Sequence, residues 1–208
     1  MNRDSELAVI RRAYAKQILA KAGVDDPRVE NAVADIRRED FLGPGPWPVV
    51  GWGDDYVPTP SADPVHLYTD NVFGILPTRH INNGQPSGHA RWISSAQVAE
   101  GDSVVHVGAG TGYYTAILAH LAGISGRVTS VELEPELASR ARANLAAFGN
   151  ARVIEGDGAV VGFDKEADVI YVNAGVTRPA DAWLDGLADG GRLILPLTSN
   201  NGFRDNAA

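Results

Sequence analysis

The chain of 208 residues contains no cysteine. That removes a disulfide framework, a thiolate nucleophile and every cysteine-ligated metal site. Nor is there an unbroken apolar run of about 18 residues, the length a membrane span needs. The N-terminal MNRDSELAVI carries charges where a signal peptide requires an apolar stretch. These absences predict a cytoplasmic protein with no membrane partner. Positive charge is also scarce: 18 Lys and Arg face 26 Asp and Glu, for a net charge of −8, and the cations are scattered. Nucleic-acid binding rests on clustered cations, so no nucleic-acid partner is expected. The five histidines, at 66, 80, 89, 106 and 120, form neither an H-x-x-x-H nor an H-E-x-x-H pattern. No metal site is predicted.

What is present reads as a globular chain, 44% hydrophobic and 21% charged. Residues 1–64 form an extension and 65–208 the main domain, the two making one unit. Leu7, Ile10, Tyr14 and Ile18 lie on one helical stripe that Gly23 stops. Asp26 as N-cap and Pro27 at the first turn begin a second helix, running through Val29, Val33 and Ile36 toward RREDFLG. Between Gly43 and Pro64 six prolines exclude regular helix or a central strand. Trp47, Trp52 and Tyr56 there mark a loop that packs, onto either the body of the protein or a substrate. From residue 100 onward strands alternate with helices: DSVVHVG, TGYYTAILAHLA, GRVTSVELE, PELASRARANLAAFG and ARVIEGD. ADVIYVNAG, a helix around Ala180–Leu187 and GGRLILPL then follow. The pattern predicts an α/β fold, a doubly wound, mostly parallel sheet with an N-terminal helical and loop extension.

In such sheets ligands sit beyond the carboxyl ends of the strands at the switch point. The loop Gly108-Ala109-Gly110-Thr111-Gly112 falls there, between the first strand and the first helix. A dinucleotide fingerprint would place its third glycine at Tyr113, and no Gly-Lys-Ser/Thr of a phosphate loop follows. The compressed spacing instead resembles motif I of Rossmann-like S-adenosyl-L-methionine-dependent methyltransferases. Glu132, followed by Leu133 at the end of the second strand, is placed to accept the ribose hydroxyls. In Gly156-Asp157-Gly158, Asp157 can take the adenine amino group and Gly158 can leave room for the ring. Glu132 or Glu134 can instead begin the next helix, where acids suit the dipole, and Asp157 can be a turn residue. Asn173 closes the fourth strand. His106 stands where many methyltransferases carry an acid; it is either a packed strand residue bonded to backbone or a cofactor contact.

Several stretches together resemble the protein-L-isoaspartate O-methyltransferases over roughly Val29 to Leu197. VENAVADIRREDFLG resembles the family's helix, and LYTDN, Leu67–Asn71, its short acidic segment. GAGTGYYTAILAHLAG and VELEPELASRARANL resemble its glycine loop and second strand with helix, and VIEGDG and GGRLILPL complete the match. The resemblance implies S-adenosyl-L-methionine as methyl donor, S-adenosyl-L-homocysteine as product, and a peptide or protein carboxylate as acceptor. It points to Asp70, Gly84, Gln85 and Pro86 as substrate-positioning residues. Three features depart from the family. Gly84 occupies the place of the serine in its Ser-Gln-Pro signature, the 43–64 loop reads as an insertion beside the substrate entrance, and only Thr198–Ala208 follow the fifth strand.

A carboxylate is ionised at neutral pH, so methylating it needs alignment rather than a strong base. The missing catalytic dyad agrees with that, and VNAGV lacks the D/N-P-P-Y-type phrase of amino methyltransferases. Three functions remain open at this point: isoaspartyl-type methylation, the same donor with another peptide or small-molecule acceptor, and a non-catalytic S-adenosyl-L-methionine-binding module.

Overall fold

In the computed structural model residues 2–51, 55–162 and 166–198 are described; Trp52 and all but the first residue of the Thr198–Ala208 tail lie outside them. Helix α1 spans Arg3–Ala22. The Asn2 side chain accepts from Ser5 N, and Gly23 ends the helix at φ 67° with its N–H returned to Leu19 and Ala20 carbonyls. Asp26 caps α2, Pro27–Asp35, accepting from the N–H groups of Arg28 and Val29.

The second helix stops short of RREDFLG. Ile36 is extended, and α3 is a separate turn over Glu39–Leu42. The break brings Arg38 inward, where it is fully buried. Its Nη1 donates to the carbonyls of Leu67 (2.6 Å) and Thr69 (3.0 Å), and its Nη2 to Asn71 (3.2 Å). A charged side chain inside is tolerable only with such partners, and these pin the LYTDN stretch.

The proline-rich region contains regular structure, but only as an edge ribbon. β1, Pro48–Val50, pairs antiparallel with β2, Tyr56–Pro58. Its prolines stand at the ribbon's ends, where a missing N–H costs least. Trp47 is buried with Leu42, Leu67, Phe73, Ile75 and Leu137, and its indole donates to the Gly43 carbonyl (2.8 Å). Packing onto the body thus accounts for Trp47. A second ribbon joins β3, Gly74–Leu76, to β4, Ile81–Asn82, and α4, Pro86–Ala96, follows.

The main sheet begins with β5, Ser103–Val107, and continues through α5, Tyr113–Ala122, β6, Arg127–Glu132, and α6, Pro135–Asn144. It then runs through β7, Ala151–Glu155, β8, Ala167–Val172, α7, Asp181–Asp185, and β9, Leu187–Ile194. All five strands pair parallel in the order β7-β6-β5-β8-β9. The chain therefore reverses direction across the sheet between β5 and β8, the switch point. α6 carries Leu137 and Ala141 inward as the sequence pattern requires, yet ends at Asn144, well before Gly149.

Among the described residues three hydrophobic clusters hold the fold together. The largest packs α1 and α2 against α4, α5 and one face of the sheet, so residues 1–64 and 65–208 share a core. The second gathers Trp47 and both ribbons, and the third packs Val105, Val107, Ile170, Val172 and Trp183 on the opposite sheet face. Among the described residues no helix is long and apolar enough to cross a membrane, and no group of three or more His, Asp or Glu is placed to hold a metal.

Candidate active site

A cavity of about 300 Å³ opens beyond the carboxyl ends of β5, β6 and β8. Its floor is the glycine loop. Gly108, Gly110 and Gly112 adopt φ of 81°, 56° and 96°, a left-handed backbone that other residues enter only with strain. A side chain at Gly110 would also meet Ile75 Cδ1 at 2.9 Å. The β3–β4 ribbon thus lies directly on the loop as a roof. Arg140 fastens it by donating to the Ile75 carbonyl (2.8 Å), and Arg79 pairs with Glu134 at the rim.

Glu132 is buried at the end of β6, and its two oxygens already serve the backbone. Oε2 accepts from Gly110 N (2.7 Å) and Oε1 from Glu134 N (2.9 Å). Each carboxylate oxygen keeps a second lone pair, so the group that orders the loop can still receive hydroxyl donors from a ligand. Asp157 Oδ1 accepts from Ala159 N (2.9 Å) in a turn, which leaves Oδ2 for the cavity it lines. Gly158 is small for a different reason from the expected one. A Cβ there would stand 2.5 Å from Val107 Cγ1, so the strand rather than a ring occupies that space. The Gly158 carbonyl accepts from the Trp183 indole (2.7 Å).

Ala109, Thr111, Tyr113, Leu133, Gly156 and Asn173 line the same cavity as Gly108, Gly110, Glu132, Asp157 and Gly158. Two predicted cofactor residues do not. Gly112 instead caps α5, and a Cβ there would stand 3.0 Å from Leu145. His106 is fully buried beneath α5, its Nδ1 2.8 Å from the Thr115 hydroxyl. Its partner is thus a side chain and not the backbone. Desolvation lowers its pKa to about 3, so the ring is neutral.

None of the predicted substrate-positioning residues lines the cavity, although Asn82 and Asn83, just before Gly84, do. Asp70 accepts from Gln85 Nε2 (3.0 Å), Ser87 N (2.8 Å) and Ser87 Oγ (2.8 Å), and pairs with Lys21 Nζ (2.7 Å). Burial works against its charge, but the Lys21 ammonium and the Ser87 donors outweigh that and hold the carboxyl below its ordinary range. Asp70 is therefore a hub that fixes the start of α4, with Pro86 in its first turn. Gly84, at φ 75°, is enforced by His89: a Cβ would lie 2.2 Å from Nε2. His89 stacks on Tyr114 with ring centres 3.6 Å apart, and its Nδ1 is 2.6 Å from the Tyr171 hydroxyl. Desolvation, with His106 and Arg38 nearby, lowers its pKa to about 3.

Sequence reasoning missed Ile75, Ile81, Asn82, Asn83, Tyr114 and Trp183 as wall residues. The Asn82-Asn83 pair immediately before Gly84 was the available signal.

The family model described as protein-L-isoaspartate(D-aspartate) O-methyltransferase (PCMT) matches residues 12–205. Among curated relatives, protein-L-isoaspartate O-methyltransferase 2 of Archaeoglobus fulgidus is 39% identical over 148 residues, covering 64% of this chain and 66% of its own. The Koribacter versatilis protein-L-isoaspartate O-methyltransferase is 36% identical over 184 residues, covering 87% and 73%. A match in Ignicoccus hospitalis spans 56% of that relative, so the chain accounts for between about half and three quarters of these proteins. A solved protein-L-isoaspartate O-methyltransferase superposes with a TM-score of 0.71 at 29% identity, over 89% of this chain and 55% of the other. A Plasmodium falciparum structure described as a putative member in complex with S-adenosyl-L-homocysteine shares the fold, with a TM-score of 0.73 at 18% identity over 92% and 85%.

Proposed function

The chain belongs to the protein-L-isoaspartate(D-aspartate) O-methyltransferase family, and from that premise we propose that it transfers the methyl group of S-adenosyl-L-methionine to a carboxylate of a peptide or protein, the isoaspartyl carboxylate being the leading acceptor. One observation carries the reading: the cavity at the switch point joins a left-handed glycine loop to buried Glu132 at its edge. The site fits the donor. Gly108, Ala109, Gly110 and Thr111 would let a ligand approach the backbone, Glu132 has lone pairs that would receive the ribose hydroxyls, and Asp157 Oδ2 together with Leu133 and Gly156 would hold the base. Tyr113 and Asn173 flank the remaining space. The bound donor supplies an activated methyl on a sulfonium.

The protein's own task is to align and to exclude water. In-line displacement gains most from holding the acceptor oxygen at attack distance, and a carboxylate is already ionised at neutral pH. His89 and His106 suit such chemistry, since both are buried and neutral and neither is poised to take a proton. Asp70, Gln85 and Pro86 act through position, fixing the loop that carries Asn82 to Gly84 beside the cavity. We also propose that residues 1–64 and 65–208 fold as one unit, which their common core supports.

The test is transfer of labelled methyl to an isoaspartyl peptide and to its aspartyl twin, with S-adenosyl-L-homocysteine titrated as the binding control. A base-labile ester on the isoaspartyl peptide alone is expected. Tight product binding without any ester would leave the cofactor reading standing and remove the acceptor.

A further inference from the structure

Two asparagines stand side by side in the cavity wall, and their bonding differs. Asn82 is used at both ends: Oδ1 accepts from the Tyr56 hydroxyl (2.6 Å), and Nδ2 donates to the His80 carbonyl (3.2 Å). Asn83 is used at one. Its Oδ1 accepts from Phe73 N (2.9 Å), while its own N–H donates to the Phe73 carbonyl (2.9 Å). Because Phe73 N can only donate, the oxygen of the Asn83 amide must face it. The Nδ2 group is thereby turned away from Phe73, in a side chain only 7% exposed, and it has no hydrogen-bond partner. A buried N–H is rarely left in that condition.

Resting on the methyl-transfer reading above, we infer that Asn83 Nδ2 donates the hydrogen bond that holds the acceptor's carboxylate oxygen. The chemistry of the cavity is divided accordingly. Glu132 and Asp157 are acceptors, matched to hydroxyl and amino donors of a nucleoside. Asn83 is a donor on the loop between β4 and α4, next to Gly84, which has no hydroxyl to offer. No Lys, Arg or His lines the cavity among the described residues. A neutral amide orients a carboxylate without pairing off the charge that makes its oxygen nucleophilic. A cation in the same place would hold it more tightly and blunt its attack. This gives Asn83 a part in choosing a carboxylate over an amine, which would bring a donor to meet a donor.

Asn83→Asp tests the inference in the full chain. The substitution keeps an oxygen for Phe73 N, so the brace survives, and replaces only the free N–H with an oxygen. The acceptor kcat/KM for an isoaspartyl peptide is expected to fall roughly tenfold to a hundredfold at about pH 8, chiefly through KM. The S-adenosyl-L-homocysteine Kd should stay within about twofold. An acceptor KM equal to that of the parent overturns the inference. So does a weakened product Kd with an unchanged acceptor KM, which would give the N–H to the methyl donor's own carboxylate. A fall in kcat with the acceptor KM unchanged marks a structural role and overturns it as well. A parent chain that esterifies no carboxylate removes the functional reading and this inference with it.

Discussion

Gly84→Ser reinstates the side chain that the resemblance leads one to expect, and the structure opposes it twice. The backbone at φ 75° is left-handed, which costs a residue with a Cβ about 1–2 kcal/mol. The new Cβ would also sit 2.2 Å from His89 Nε2, far inside van der Waals contact. The imidazole cannot retreat freely, because Tyr114 stacks on it and Tyr171 holds Nδ1. Overpacking of this kind costs roughly 1–3 kcal/mol, so the whole penalty is about 2–5 kcal/mol. For a chain of this size each kcal/mol lowers Tm by roughly 2–4 °C. Urea unfolding of the parent, Gly84→Ser, His89→Ala and the double variant measures both parts. Removing the imidazole should leave only the backbone strain, so the cycle should show a coupling of about 1–3 kcal/mol. A serine variant as stable as the parent, or one equally destabilised in both backgrounds, would refute the steric account.

Three further outcomes follow from the same geometry. Glu132→Gln places an N–H against one of the two backbone donors the carboxylate now receives, so S-adenosyl-L-homocysteine affinity should drop by at least about tenfold in calorimetry. Arg38→Met strands the Leu67, Thr69 and Asn71 carbonyls in the interior and should lower the unfolding free energy by about 2–4 kcal/mol; a loss below about 0.5 kcal/mol would show those contacts to be incidental. His89 and His106, with folded-state pKa values of about 3, bind fewer protons folded than unfolded between that value and about 6.5. Their contribution is complete above about pH 6.5 and shrinks as pH falls, by up to about 1.4 kcal/mol per pH unit for each ring. A urea midpoint that does not decline between about pH 6.5 and 4.5 would contradict their burial in neutral form.

The sheet was legible because β5 and β8 are short, mostly apolar runs and strands alternate with helices from β5 to α6, an order that leaves few alternatives. The capping of α1 and α2 was equally plain in Gly23 and Asp26-Pro27, whose roles are local. What escaped depended on contacts between distant segments. Nothing in RREDFLG announces that Arg38 turns inward, since its acceptors lie about thirty residues away in the chain. Gly158 carries a sequence signal for smallness, but only the fold shows that Val107 imposes it. His106 illustrates the same limit: position on a strand is readable, whereas the Thr115 partner on α5 is a tertiary fact. The substrate side was the least legible part, because Asn83 and the Phe73 backbone it braces come together only through the roof ribbon.

The cavity sits where three separately packed interiors meet. Ile75 belongs to the cluster around Trp47, Tyr113 and Tyr114 to the helical cluster, and Val107 and Trp183 to the cluster on the far face of the sheet. Without a ligand each interior can loosen on its own schedule, while contacts such as those of Arg79 and Arg140 hold only the roof ribbon in place. A ligand filling the seam touches all three at once. Its binding free energy then becomes shared cohesion, and regions that exchange amide protons at separate rates when empty should slow together when the site is filled.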